Sequence, residues 1–211
     1  MNISAKNEQA LWRTCAIGKP EMVKFLLGLK PDINLRIDND KPFLTTCCNG
    51  NIDVAKLLIE ITPDLDLRFN NDVFFRTSCK NGHLKFAQFL LEKQKDIDIN
   101  AENNFAFKNA WNVKTAKWLY SLNSEIDISD ENEKAFRNAC QRGRLEVAKW
   151  LFLTKEDIDF LAMDWYSFRL ACENGHISVV KWLYKIFKER VEKKTLITLK
   201  DVNTLINISG Y

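Results

Sequence analysis

The chain has little of what most folds use to bend. Its 211 residues include only 7 glycines and 4 prolines, too few for an all-β fold with many tight turns, so helices are expected. No apolar run approaches the ~20 residues needed to span a bilayer, and no membrane association is expected. Histidine is also scarce, with 2 residues, and a general base needs a nucleophile or proton donor within reach. A net charge of +3 gives no electrostatic footprint for nucleic acid or anionic lipid. The opening Met1–Gln9 has neither the basic nor the apolar region of a signal peptide. A cytoplasmic location follows as the expectation. The hydrophobic share of 46% and charged share of 28% suit a chain able to bury a core.

What is present is a repeat. Cys15, Cys47 and Cys79 stand 32 residues apart, as do Cys140 and Cys172. Gly18, Gly50, Gly82, Gly143 and Gly175 each follow their cysteine by three residues. Leu11, Phe43, Phe75, Phe136 and Phe168 precede it by four, and Phe25, Leu57, Phe89, Trp150 and Trp182 follow by ten. The 61-residue gap between Cys79 and Cys140 is two periods less three residues. The missing copy lies at Phe107–Leu119, aligned once the Lys80–His83 turn is shortened, with Trp111 in the cysteine column.

Each copy reads as two short helices joined by a Gly turn. Asn7, Asn39, Asn71, Asn103, Asn132 and Asp164 fall where the first helix begins, and predict N-caps. Connectors such as Asp64-Leu-Asp-Leu67 and Asp96-Ile-Asp-Ile99 alternate. They predict arms that tuck aliphatics between neighbours and leave carboxylates in water. No copy can cover its own apolar face, so the copies must stack. The organisation expected is an array over 1–190, in units of approximately 5–35, 36–67, 68–99, 100–128, 129–160 and 161–190. A C-terminal cap is expected over 191–211. In the fourth unit the helices are expected to join through Asn112 alone, changing curvature near 105–120, with Trp111 and Trp118 filling the extra space.

Asn-Gly-His-Leu-Lys-Phe-Ala-Gln-Phe-Leu-Leu91, Arg-Gly-Arg-Leu-Glu-Val-Ala-Lys-Trp-Leu151 and Asn-Gly-His-Ile-Ser-Val-Val-Lys-Trp-Leu183 resemble the second-helix signature of ankyrin repeats, over roughly residues 5–190. Two departures stand out. Phe-Phe-Arg76, Ala-Phe-Lys108, Ala-Phe-Arg137 and Ser-Phe-Arg169 replace the family's Thr-Pro-Leu-His opening, and the family period is nearer 33 than 32. This variant is similar to the arrays carried by giant viruses of amoebae. The resemblance implies an all-α solenoid of about six helix–turn–helix units with a concave binding face, no cofactor and no enzymatic activity.

The recurring residues have structural reasons to recur. Five of the 6 cysteines share one column; helices pack 8–10 Å apart, beyond the ~7 Å a disulfide allows, so buried reduced thiols are expected. No Cys or His cluster has metal-ligand spacing, and no metal site is predicted. His83 and His176 occupy one turn slot in separate units. The breaks in the columns are more informative. After the capping residue come Glu8, Asp40, Asp72, Asn104, Glu133 and then Trp165. A column polar five times is expected to face solvent. That makes Trp165, flanked by Met163 and Tyr166, a surface aromatic of the kind that dominates interfaces, or else a residue packed on the C-terminal segment. Trp12 similarly breaks the column of Arg76, Lys108, Arg137 and Arg169. At the arm tips, Arg36-Ile37 and Arg68-Phe69 give way to acidic and then apolar residues, which suits a protein partner better than a phosphate backbone. The candidate partner-binding residues are therefore Arg36, Ile37, Arg68, Phe69, Met163, Trp165 and Tyr166. The reading is a monomeric, non-enzymatic module binding an unidentified protein, host or viral, in the cytoplasm (a host cell's, for a viral chain). An adaptor that recruits ubiquitin-ligase machinery is the alternative. An enzyme or a nucleic-acid binder is more remote, for want of convergent catalytic residues or a basic stripe.

Overall fold

In a computed structural model of the protein, the described backbone comprises residues 3–155, 158–159 and 162–193; side chains are described for residues 9–155, 158–159 and 165–189. The expected C-terminal cap lies, from residue 194 onward, outside the described residues. Among the described residues there are twelve helices and no strand, and the chain divides into two compact bodies, Met1–Asn123 and Ser124–Tyr211.

The first body holds four helix pairs: α1 (Ile3–Ile17) with α2 (Pro20–Leu29), α3 (Ile37–Asn49) with α4 (Ile52–Ile61), α5 (Phe69–Lys80) with α6 (Leu84–Lys93), and α7 (Ala101–Lys108) with α8 (Val113–Leu122). The second holds α9 (Asp130–Gln141) with α10 (Leu145–Thr154), and α11 (Ala162–Glu173) with α12 (Ile177–Lys193). First helices stack in order, α1 on α3, α3 on α5 and α5 on α7 in the first body, and α9 on α11 in the second. Their columns make the core. Leu11, Phe43, Phe75, Cys15, Cys47 and Cys79 are buried in one body, Phe136 and Cys140 in the other. Second helices add Val54, Ala55, Leu58, Ala87 and Leu90. Each large apolar side chain removed from water contributes about 1.5–3 kcal/mol. All six cysteines are free thiols. Burial pushes Cys15 up to about 12 and raises Cys47, Cys79 and Cys140 as well. Such thiols stay protonated and pack as small hydrophobes.

At the turn end of the first helices, successive repeats interlock. Asn51 Nδ2 donates to the carbonyls of Cys15 (2.7 Å) and Ala16 (3.0 Å), and His83 Nε2 donates to Cys48 O at 2.8 Å. Each thus satisfies an orphan carbonyl at the end of the preceding first helix. The approach is close enough to require glycine below it. A Cβ on Gly50, at φ +73°, would lie 2.5 Å from His83 Nδ1. The turn histidine is therefore a tie between neighbouring repeats.

The fourth repeat absorbs its three-residue deletion differently from expectation. Its turn is not reduced to Asn112: four residues, Asn109–Asn112, join α7 to α8, against three, Asn81–His83, between α5 and α6. The loss falls in the helix, which has 8 residues in α7 and 12 in α5. Nor does Trp111 enter the core column. It is 54% exposed, with Cβ and Cδ1 crowding the space above Gly82 and its N–H on Cys79 O at 3.3 Å. Shortening the helix by a turn lifts the residue out of the row where Cys79 sits. Trp118 does turn inward, 6.2 Å from the ring of Phe75. Asn112 caps α8, accepting from Thr115 N at 2.9 Å.

Candidate functional site

The arm end of the first helices has a backbone form the sequence did not suggest. Asp38-Asn39-Asp40, Asn70-Asn71-Asp72, Glu102-Asn103-Asn104 and Glu131-Asn132-Glu133 all lie at φ between +50° and +63°. Each set makes a left-handed turn of three residues before right-handed helix begins. The predicted N-cap role of Asn39, Asn71, Asn103 and Asn132 is thereby corrected, and Asn7 lies inside α1. Asn and Asp suit both settings, because their short polar side chains also tolerate left-handed backbone. A run of three is costly, at about 1–2 kcal/mol per residue for ordinary side chains, so other contacts must fix it.

Those contacts recur. Four arms enter through an Asx turn, in which Asn34, Asp66, Asp98 and Asp127 accept the N–H of the residue two positions on, at 2.9 Å. The carbonyls of the left-handed turn are bound by an arginine in the following helix. Arg76 donates to Asn71 O (2.7 Å) and Asn70 O (2.9 Å), and Arg137 to Asn132 O and Glu131 O at 2.7 Å each. An aromatic of the next repeat covers that guanidinium: Phe105 at 5.2 Å from Arg76, and Tyr166 at 5.3 Å from Arg137. These contacts account for the arginine that replaces histidine in the opening motif. They also account for Trp12, since Lys41 Nζ sits 5.1 Å over its ring. The cation and the ring have exchanged places between the two repeats.

The third residue of each turn points inward. Asp40 and Asp72 are each 2% exposed, and Glu133 is buried too. The expectation that this column faces solvent is overturned. A carboxylate four residues after an arginine reaches back to it, and that pairing permits burial. Arg36 donates through Nε and Nη2 to Asp40, and through Nη1 to Asp64 O (3.1 Å) and Oδ2 (3.0 Å) of the next arm. Arg68 repeats the pattern more loosely, with Nη1 on Asp96 at 3.0 Å and Nε 3.5 Å from Asp72 Oδ1. Asp72 Oδ2 instead accepts the N–H of Asp98 at 3.1 Å. Burial raises the Asp72 carboxyl, against the opposing pull of that N–H and of Arg68.

The predicted partner-binding residues thus separate. Arg36 and Arg68 are partly exposed braces that hold the arms. Ile37 and Phe69 are half-buried, Phe69 with its ring 6.2 Å from Phe74. Tyr166 is half-buried between the guanidinia of Arg137 and Arg169. The side chain of Met163 lies outside the described residues. Trp165 is corrected from a surface aromatic to a core residue. It is 9% exposed and its ring lies 4.7 Å from Phe187 of α12 and 6.4 Å from Phe168, both edge-on. It takes the inward third position, at φ +61°, so an apolar side chain there joins the core. Asp40, Asp72, Arg76 and Arg137 were missed as a set. The signal is complete only at Arg68-Asp72-Arg76, with an arginine four residues before and four after the acidic residue; Asp40 has only the arginine before it, and Glu133 only Arg137 after it.

Among the described residues, no group of three or more His, Cys, Asp or Glu is placed to hold a metal ion, and no helix is long and apolar enough to cross a membrane. No curated protein sequence matches the chain. The family model for ankyrin repeats matches residues 4–103 as three copies, the stretch that contains α1 to α6 and the start of α7. Ankyrin repeats are in general non-enzymatic modules for protein–protein interaction. With its helices paired and stacked in this way, the chain is a helical repeat protein whose residues 4–103 match ankyrin repeats.

Proposed function

We propose that the arm ends and first helices form the surface through which this chain binds one protein partner, without catalysis. The observation that carries the reading is the contrast between a fixed frame and variable tips. The same left-handed turn and Asx-turn arm recur in four copies, with arginine ties in two of them, while the first outward residue changes from Asp38 to Asn70, Glu102 and Glu131 beside a constant asparagine, all exposed. A rigid scaffold presenting varied side chains is how loop-borne recognition is achieved. Ile37, Phe69 and Tyr166 supply apolar area beside the tips, Arg36 and Arg68 position them, and Trp165 stays beneath the surface. The partner is a host or viral protein met in the cytoplasm, and the chain acts as a monomer.

Asn39→Asp, Asn71→Asp, Asn103→Asp and Asn132→Asp, made together, keep side chains that tolerate left-handed backbone while charging every tip. Affinity capture with the full chain is expected to lose its partner in this variant, and to weaken with Tyr166→Ala, at unchanged helical circular dichroism. Capture undiminished by both would overturn the proposal.

A further inference from the structure

Within the first body, each repeat after the first is seated on the one before it by two kinds of contact. One is polar and comes from the turn. Asn51 donates to Cys15 O and Ala16 O, His83 to Cys48 O, and Asn112 Nδ2 to Gly82 O at 3.3 Å. The other is apolar and comes from the second helix. Phe86 lies 6.5 Å from Phe43 of the preceding first helix, and Trp118 lies 6.2 Å from Phe75. The second body repeats it, with Trp182 6.1 Å from Phe136.

The first repeat carries the same columns, uncovered. In register with Asn51 and His83 stands Lys19, exposed. Met22 is in register with Val54 and Phe86, and Phe25 with Leu57 and Phe89. Val54 and Phe86 are 0% and 1% exposed, against 41% for Met22. Leu57 and Phe89 are 8% and 7% exposed, against 67% for Phe25. Leu29, one turn further along α2, is also exposed. Positions 22, 25 and 29 have the i, i+3, i+7 spacing with which one helix meets another. A terminal repeat ordinarily turns a polar face outward, whereas this one keeps the apolar face of an interior repeat.

We infer that the outer face of α2 is the open half of a repeat-to-repeat joint, and that it docks a helix of a protein partner. The interior joints define what that helix offers. It ends against Lys19, whose ammonium donates in three directions and meets the orphan C-terminal carbonyls at the negative pole of the helix. Four or five residues before that end it bears a large apolar side chain, as Phe43 stands before Cys47 and Cys48. That side chain packs on Met22 and Phe25. A second copy of this chain does not supply such a helix from its last repeat, where the equivalent aromatic, Phe168, is already buried. The face is distinct from the arm tips, so the inference goes beyond the interaction reading above and stands without it.

The test tethers a copy of residues 36–67, which contains α3 and α4, to the N-terminus of the full chain through a flexible Gly/Ser linker. Tethering presents this probe at about millimolar effective concentration, so that a helix pair unable to cover its own apolar face can fold against α2. Hydrogen exchange is read on the amides of the copy under reducing conditions. They are expected to exchange at least about tenfold more slowly than in the same fusion carrying Phe25→Glu. Phe43→Ala within the copy is expected to remove that protection. Lys19→Glu is expected to reduce it about threefold to tenfold, by repelling the helix end. Without the tether, neither Phe25→Glu nor Lys19→Glu is expected to lower the urea midpoint of the full chain, because both side chains are exposed. That control separates loss of docking from loss of fold. A copy that exchanges equally fast with and without Phe25→Glu overturns the inference, and so does protection indifferent to Phe43→Ala and Lys19→Glu. An untethered chain that sediments as a dimer, and as a monomer with Phe25→Glu, would give the face to a second copy and overturn it as well.

Discussion

The third and fourth repeats share one end and differ at the other. Both have the Asx-turn arm and the three-residue left-handed turn, at Asn70–Asp72 and Glu102–Asn104. At the opposite end α5 keeps its last turn, its Gly82 and its His83, while α7 stops four residues sooner and Trp111 covers the turn before it. A deletion has been absorbed where repeats merely interlock, and the end that carries the tips is unchanged. The comparison separates a tolerant region from a constrained one.

Four experiments would break or sharpen that contrast. The largest effect is expected at the interlock, from Gly50→Ala. Left-handed backbone alone costs about 1–2 kcal/mol, and displacing His83 from 2.5 Å adds to it, for a total of about 2–3 kcal/mol. Gly175→Ala, with φ +71° but nothing within 4 Å, is expected to show only the backbone cost. Equal losses in urea denaturation would mean that the tight approach contributes nothing.

Next comes Arg76→Met, which removes both donors to the left-handed turn and keeps the stem. A loss of about 1.5–3 kcal/mol is expected for hydrogen bonds from a charged group. Amide exchange accelerated at residues 70–72 before the rest of α5 would locate it, and uniform exchange would contradict the clamp. Asn112→Ala, at the end where the fourth repeat departs, is expected to cost about 1 kcal/mol, as for a lost N-cap. His83→Ala removes no cap, since α6 has no side-chain cap hydrogen bond. Its effect comes from the tie to Cys48, so the two variants fail by different contacts.

The smallest effect concerns the Asp72 charge. Its folded carboxyl is raised above the ordinary 3.8. The associated stability is therefore fully present below the unfolded value and is lost as pH rises through the folded one. Asp72→Asn keeps an acceptor for the Asp98 N–H and removes the titration. Its stability relative to wild type is expected to increase with pH across that window and to be flat above it. A difference independent of pH would show that Asp72 does not titrate there.

The columns legible in the sequence were those whose residue type has one meaning. Glycine three after cysteine, phenylalanine four before it, and aliphatics at alternate arm positions fixed the helix pairs and their buried faces. Position 39 and its equivalents were ambiguous, because asparagine favours N-caps and left-handed backbone for related reasons, and Glu102, Glu131 and Glu133 favour neither strongly. Polarity misled at position 72. Charge usually signals exposure, but an arginine four residues back and a backbone N–H from the next arm let a carboxylate go inside. Trp165 takes the same inward position, so the rule that a polar column faces solvent fails there too. The deletion was counted correctly in residues, while its placement depended on whether a helical turn or a loop gives way, which spacing alone does not specify.

The direction of the arm contacts has a consequence for synthesis. Arg36 is completed by Asp64, and Asp72 by the N–H of Asp98. In both, the turn formed earlier in the chain waits for a segment 26 or 28 residues later. Because the mirror-handed turn is unfavourable until its ties are made, a nascent chain emerging N-terminus first completes these two sets of ties only after the following arm has left the ribosome. Maturation then proceeds vectorially, each segment templating the one already made, and a truncation is felt first in the last segment that remains.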